Sequence, residues 1–278
     1  MIALLRFELY KIFCKPRTYI GFAAIGLLVP LIQIALYIDG QTYIEFSLQN
    51  LKEAFDFQGD LLNGYLASYI ILATLYVHIP FLIALVAGDL LAGESASGTL
   101  RVLLTRPISR RQVVLVKFFA AMIYTAVLIF WMALSSLVLG VLIMGTGDLI
   151  VIRNTIYVFS EADVLWRLAS AFGFGLVAMW CVAALSYMFS SFASNSIGPI
   201  IMTMTVIISF IVISAIDLSV FRVVKPYLFT TYMGSWKLFF EEPLATADIL
   251  LSVGVLLLHI VVFLGVTWFG FNKKDILS

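Results

Sequence analysis

AGDLLAGESASGTLRVLLTRPISRRQVVLVK, residues Ala87 to Lys117, is a short basic amphipathic stretch wedged between two long apolar runs. In helical register Leu100, Leu103 and Leu104 share one face at i, i+3, i+4 spacing, while Arg101 and Thr105 point elsewhere. Pro107 denies the next turn its N–H and stops that helix. Ser109 and Gln112 then have the spacing of a capping box, which opens a second helix leading into the next apolar run. The stretch therefore predicts helix, sharp turn, helix. Two readings of this knob stand together: a basic loop that the positive-inside rule keeps in the cytoplasm, or a docking element for a soluble partner.

Outside the knob, composition decides the class. A chain of 278 residues that is 63% hydrophobic and 12% charged cannot hide its apolar side chains in a water-soluble core, so lipid is the solvent for much of it. The net charge of +1 says nothing about nucleic acid, and no basic run or aromatic-basic interleaving points to it, so no nucleic-acid partner is expected. Cys14 and Cys181 have no second Cys or His at metal-ligand spacing.

Six apolar runs reach the roughly 20 residues that cross a bilayer: Tyr19 to Ile38, Leu66 to Leu90, Val113 to Met144, Val164 to Phe189, Ile197 to Ile216, and Ile249 to Phe271. The third, counted from Ser109, extends for about 54 Å at 1.5 Å per residue, longer than the hydrocarbon, so its first two turns stand beneath the membrane. Ahead of the first run, Ile2, Leu5, Leu9, Ile12 and Phe13 lie on one helical face, with Glu8, Lys11 and Lys15 opposite. That pattern predicts an uncleaved helix along the membrane surface, broken at Pro16. With the N-terminus inside, eleven Lys and Arg fall on inner segments, among them Arg106 and Lys274, and six on outer ones, among them Lys52. Glu53, Asp56 and Asp60 sit in the first outer loop. Both termini are therefore expected in the cytoplasm.

Chemistry is mostly absent from the pattern. There is no G-x-x-x-x-G-K-[ST] loop, no H-E-x-x-H and no G-x-S-x-G, so an ATP-driven function needs its ATPase on another chain. Gly145-Thr146-Gly147-Asp148 spells the signature of intramembrane aspartyl proteases, which need two carboxylates sharing a proton. Asp89, the other candidate, falls at the opposite membrane face, and Asp148 reads as a turn residue after a helix-ending glycine. His78 and His259 sit within spans, where an ionisable group is a candidate for a role or a partner to a neighbouring helix. Pro80 kinks the second span. Thr203, Thr205, Ser209 and Ser214 on the fifth line a polar strip or hydrogen-bond between helices.

Glu94, Gly98-Thr99-Leu100, Leu103-Leu104, Pro107, Ser109-Arg110 and Lys117 together resemble the first cytoplasmic loop of permeases in the type-two ATP-binding-cassette exporter family. Ala96 and Arg101 stand where that family often has an acid. Phe7-Glu8-Leu9, Lys11, Lys15 and Arg17 are similar to its N-terminal start. Pro226 through Trp236 to Pro243 resembles the outer half-buried helices that cap its pathway.

The resemblance implies an all-α membrane protein: six transmembrane helices, an amphipathic elbow helix over residues 1–15, and a cytoplasmic coupling helix over residues 94–107, all in one permease domain of residues 1–278. It implies a homodimeric transporter in the cell inner membrane, in contact with lipid, paired with a cytosolic ATPase that carries ATP and Mg. The chain itself would bind no cofactor. The docking residues would be Glu94, Gly98, Thr99, Leu100, Arg101, Leu103, Leu104, Thr105, Arg106 and Pro107, and transport would run outward. A polytopic membrane enzyme and a scaffold recruiting a cytosolic partner without transport remain the alternatives.

Overall fold

The computed structural model describes residues 1–48, 62–105, 108–153 and 155–273. Lys52, Glu53, Asp56, Asp60, Arg106, Pro107 and Lys274, on which several expectations rested, lie outside the described residues.

Helix α1 (Ile2–Phe13) ends in a tight turn, and α2 (Pro16–Leu48) begins on Pro16, where a fixed φ and a missing N–H suit the first helical position. The second apolar run is two helices, α3 (Gly64–Leu75) and α4 (Ile79–Ala87), bent by 56°. The bend falls where Pro80 cannot donate to the carbonyl four residues back, as the sequence anticipates. Two short helices, α5 (Asp89–Ala96) and α6 (Thr99–Leu104), lead to α7 (Arg110–Met144). The expected capping box is present: Ser109 Oγ accepts from Gln112 N, and Gln112 Oε1 accepts from Ser109 N at 3.1 Å.

Beyond α7 the chain makes an antiparallel hairpin, β1 (Leu149–Ile152) with β2 (Ile156–Phe159). The all-helical expectation omitted this pair. Its signal was available in two short β-branched and aromatic runs separated by three residues. Then come α8 (Glu161–Phe192), α9 (Ile197–Ala215), α10 (Ser219–Val224), a 3-10 turn at Lys225–Tyr227, α11 (Phe229–Met233), a 3-10 segment at Gly234–Phe240, and α12 (Thr246–Lys273). Among the described residues five helices are long and apolar enough to cross a bilayer, and the bent α3–α4 pair is a sixth candidate. The protein is a predominantly helical, multi-pass membrane protein.

α8 is the central post. Two thirds of its apolar window is buried, against at most 28% for the other four long helices. Its sequence explains this: Ala171, Gly175, Ala178, Cys181, Ala183, Ala184, Ser186 and Ser190 are small and buried, which lets neighbouring backbones approach without a hydrophobic drive between helices. A second close crossing joins α3 to α7 at Gly64 and Gly140, where a Cβ on Gly140 would lie 2.8 Å from the Gly64 carbonyl oxygen. Ser68 Oγ and Gln33 Nε2 both donate to Ser136 O there, at 3.0 and 2.7 Å. Of the fifth-span hydroxyls, Thr203 and Thr205 donate to carbonyls one turn back in their own helix, whereas Ser214 Oγ lies 3.4 Å from Thr231 Oγ1 of α11, a bond between helices as anticipated.

Candidate functional site

Lys117 is the lone charge in the apolar string that opens α7, and it is 1% exposed. A buried ammonium needs carboxylates, and the fold supplies two. Glu8 of α1 and Glu94 of α5 each place an oxygen 2.8 Å from its Nζ. Lys11 closes the figure, 3.1 Å from Glu8 and in direct contact with Glu94. The result is a ring of alternating sign and zero net charge that joins three elements far apart in sequence. Burial pushes the Glu94 carboxyl up, but Lys117 and Lys11 outweigh it and hold the group below its usual range. Burial likewise depresses Lys11, and Glu94 and Glu8 reverse the effect, so it stays protonated more tenaciously than an ordinary lysine.

A second node lies at the same end. Asp89, buried at the start of α5, meets Lys15 Nζ at 2.8 Å and Arg17 Nη1 at 2.7 Å, and accepts from Ser196 Oγ. Burial again works against the charge, and Lys15, Ser196 and Arg17 override it, so the carboxyl is held below the usual range. Ser190 of α8 accepts from Leu91 N and Ala92 N and donates to Gly88 O at 2.7 Å. It thereby caps the N–H groups that the short α5 leaves open. Through Ser190 and Ser196, the end of α8 and the uncharged connection after it thus lock α5 in place.

These placements revise the expected docking set. Glu94 and Leu100 are 6% and 2% exposed, so neither is offered to a partner; Glu94 faces the ring and Leu100 packs inward. Gly98 has φ +70°, a left-handed turn needed to start α6. Thr99 is exposed, its hydroxyl 2.9 Å from Ser97 Oγ. Leu103 is half-buried and Thr105 exposed. Arg101 and Leu104 belong to α6, but their side chains, like Arg106 and Pro107, lie outside the described residues.

What α6 does present is Val102, 63% exposed, on the rim of a groove of about 410 Å³. Leu4 and Phe7 of α1 form one wall, Thr99, Val102, Leu103 and Ile108 the other, and Lys11 and Glu94 lie at its base. Sequence reasoning missed this groove because α1 was expected to turn its charged side to water. Lys117, unpaired in an apolar string, was the signal that the charges of α1 turn inward.

The carboxylate pair sought for proteolysis is not assembled. Asp148 Oδ1 accepts from Glu161 N at 2.9 Å beyond the far end of α7, after Gly145 at φ +72°, whereas Asp89 is engaged with cations at the near end. Glu8 and Glu94 do converge, but on the ammonium groups of Lys117 and Lys11 rather than on each other. Among the described residues no group of His, Cys, Asp and Glu could hold a metal. His78 Nδ1 lies 3.0 Å from Thr74 O at the helix break, and His259 lies between Val255 O and Tyr227 O.

No curated protein matches this chain. The family model described as ABC-2 family transporter protein matches residues 8–276, a span that includes the ion ring and all the candidate spans, and the chain belongs to that family.

Proposed function

We propose that this chain is the permease of an ATP-binding-cassette exporter, a single transmembrane domain over residues 1–278 in the cell inner membrane, with both termini cytoplasmic. As a membrane component of its family it is not itself the ATPase; ATP and Mg belong to a cytosolic partner, and a second copy completes the transporter. In this reading α1 is the elbow, residues 94–107 form the coupling element, and the half-buried outer stretch caps the pathway.

One observation carries the reading: Glu94, in the segment next to α6, is joined through Lys11 and Lys117 to both α1 and the 35-residue α7. A partner that seats on Val102 and the α1–α6 groove and then moves would displace three elements as one, because sliding α5 against either neighbour would strand a buried charge. α7 extends for about 52 Å and carries the motion to the outer end. ATP shifts the equilibrium between two states by binding them differently.

The test separates docking from coupling. With the partner ATPase co-expressed, Val102→Asp should lose association, since it puts a charge into an apolar interface without touching the ring. Glu94→Gln should keep association and lose stimulation of ATP hydrolysis. Wild-type association in Val102→Asp, together with wild-type stimulation in Glu94→Gln, would remove the proposal.

A further inference from the structure

The first turns of α7 and the last turns of α12 flank a second groove, of about 440 Å³. Its walls are Val114 and Leu115 on one helix and Val261, Leu264 and Gly265 on the other. Gly265 deepens it, because a Cβ there would meet nothing within 4 Å. At the mouth the guanidinium of Arg111 lies 6.0 Å from the Trp268 ring centroid. The mouth is held in place by Arg110, whose Nη1 donates to Phe271 O and Asn272 O at 3.3 and 3.0 Å. Among the described residues Arg111 has no carboxylate partner, unlike Lys11, Lys15, Arg17 and Lys117 at the same end.

We propose that this groove holds one acyl chain of an anionic phospholipid of the cytoplasmic leaflet, with the headgroup on Arg111. Three features meet only at such a ligand. The apolar trough runs about 10 Å along α12, two helical turns from Trp268 to Val261, and faces hydrocarbon. Trp268 marks headgroup depth, where indoles settle. The unpaired guanidinium above it matches a phosphate in geometry and sign, and basic pockets between helices on the cytoplasmic side are where anionic headgroups collect. A zwitterionic lipid fills the trough equally well but brings its own cation to the mouth. Because α7 is also the helix that carries the coupling motion, lipid seated against its first turns would make transport sensitive to leaflet charge. The leaflet assignment rests on the orientation proposed above; the site itself does not.

The full-length protein in nanodiscs gives the test. Brominated phosphatidylglycerol and brominated phosphatidylcholine, at equal mole fraction in an unbrominated phosphatidylcholine bilayer, are compared as quenchers of Trp268, read as wild type minus Trp268→Phe. Quenching should favour the anionic lipid by about fivefold in apparent affinity, the weight of one arginine near an anionic surface. Arg111→Gln should abolish the preference while leaving quenching by both lipids, and Gly265→Leu should reduce quenching by both. Equal quenching in the wild type means annular lipid only and overturns the proposal, as does a preference that survives Arg111→Gln. Labelling Cys14, exposed at the same end, with an impermeant maleimide in intact cells checks the leaflet separately: labelling from outside overturns the cytoplasmic assignment and leaves the lipid preference standing.

Discussion

Where α1, α5 and the start of α7 meet, the buried Glu8, Glu94 and Lys117 and the half-buried Lys11 form a neutral ring; at the other end, the rings of Trp236, Phe240, Tyr69 and Phe159 fill the space, and Arg167 threads among them. Tyr69 lies 5.0 Å from Phe240 and 5.5 Å from Trp236, centroid to centroid, in edge-on contacts. Aromatic packing is broad and tolerant: small displacements exchange one edge contact for another at little cost. An alternating ion ring has no such tolerance, since each charge is satisfied in one arrangement and stranded in the next. The ring adds little stability over an apolar core but fixes how α1, α5 and α7 sit together. The end proposed to receive force is thus the end built to stay in register, and the other end is built to yield.

The largest effect should follow from breaking the ring on one side. Lys117→Met leaves the buried Glu8 and Glu94 with Lys11 alone between them, so one buried negative charge goes uncompensated. It should cost about 3–5 kcal/mol, the usual result of orphaning a buried charge. Replacing all four members with Leu or Met should be neutral or stabilising, yet should abolish stimulation of the ATPase. Thermal unfolding in detergent reads the first quantity and hydrolysis the second. A single substitution costing under about 1 kcal/mol would mean that water already reaches the ring, and the contrast between the ends would go.

Arg167 is the corresponding test at the aromatic end. It is 5% exposed, lies 4.2 Å from the Phe159 ring centroid, donates to Phe239 O at 2.8 Å and pairs with Asp163 at 2.6 Å. Asp163 is one-third exposed and Glu242 more so, and both resolvate when the partner leaves, so Arg167→Met strands only the Phe239 and Glu241 carbonyls. The expected loss is about 1–3 kcal/mol, below that of Lys117→Met in the same assay, with ATPase stimulation unchanged. If Arg167→Met uncouples hydrolysis as completely as Glu94→Gln, the two ends are not mechanically distinct.

Much of this architecture was legible because bilayer length and capping chemistry are local. The capping box at Ser109 and Gln112, the bend at Pro80 and the helix-ending glycine at Gly145 follow from a few adjacent residues, and the apolar runs from their length alone. The ring was not legible as a ring. Its members, at positions 8, 11, 94 and 117, are separated by spans whose relative placement no periodicity encodes. The same blindness turned α6 inside out: heptad-like spacing identifies Leu100 and Leu103 as one face, but only tertiary packing says whether that face meets a partner or the chain itself.

Acidity should separate the two ends by a smaller, reversible effect. Glu94 and Asp89 are held below their ordinary 4.5 and 3.8, so their pairing contributes fully above those values and is lost as pH falls through the folded ones. Lys11 is raised above its ordinary 10.5, so its contribution is complete below that value and is lost as pH rises through the folded one. Between these limits the ring is flat in pH, and below about pH 4 the native state must take up protons that the unfolded chain already holds. The aromatic rings do not titrate on the acid side. Melting temperatures of wild type and Glu94→Gln should therefore converge as pH drops, because the variant has already lost the carboxylate that acid removes. Parallel acid limbs would place the titrating group elsewhere and leave Glu94 without the ionised, paired state on which the coupling depends.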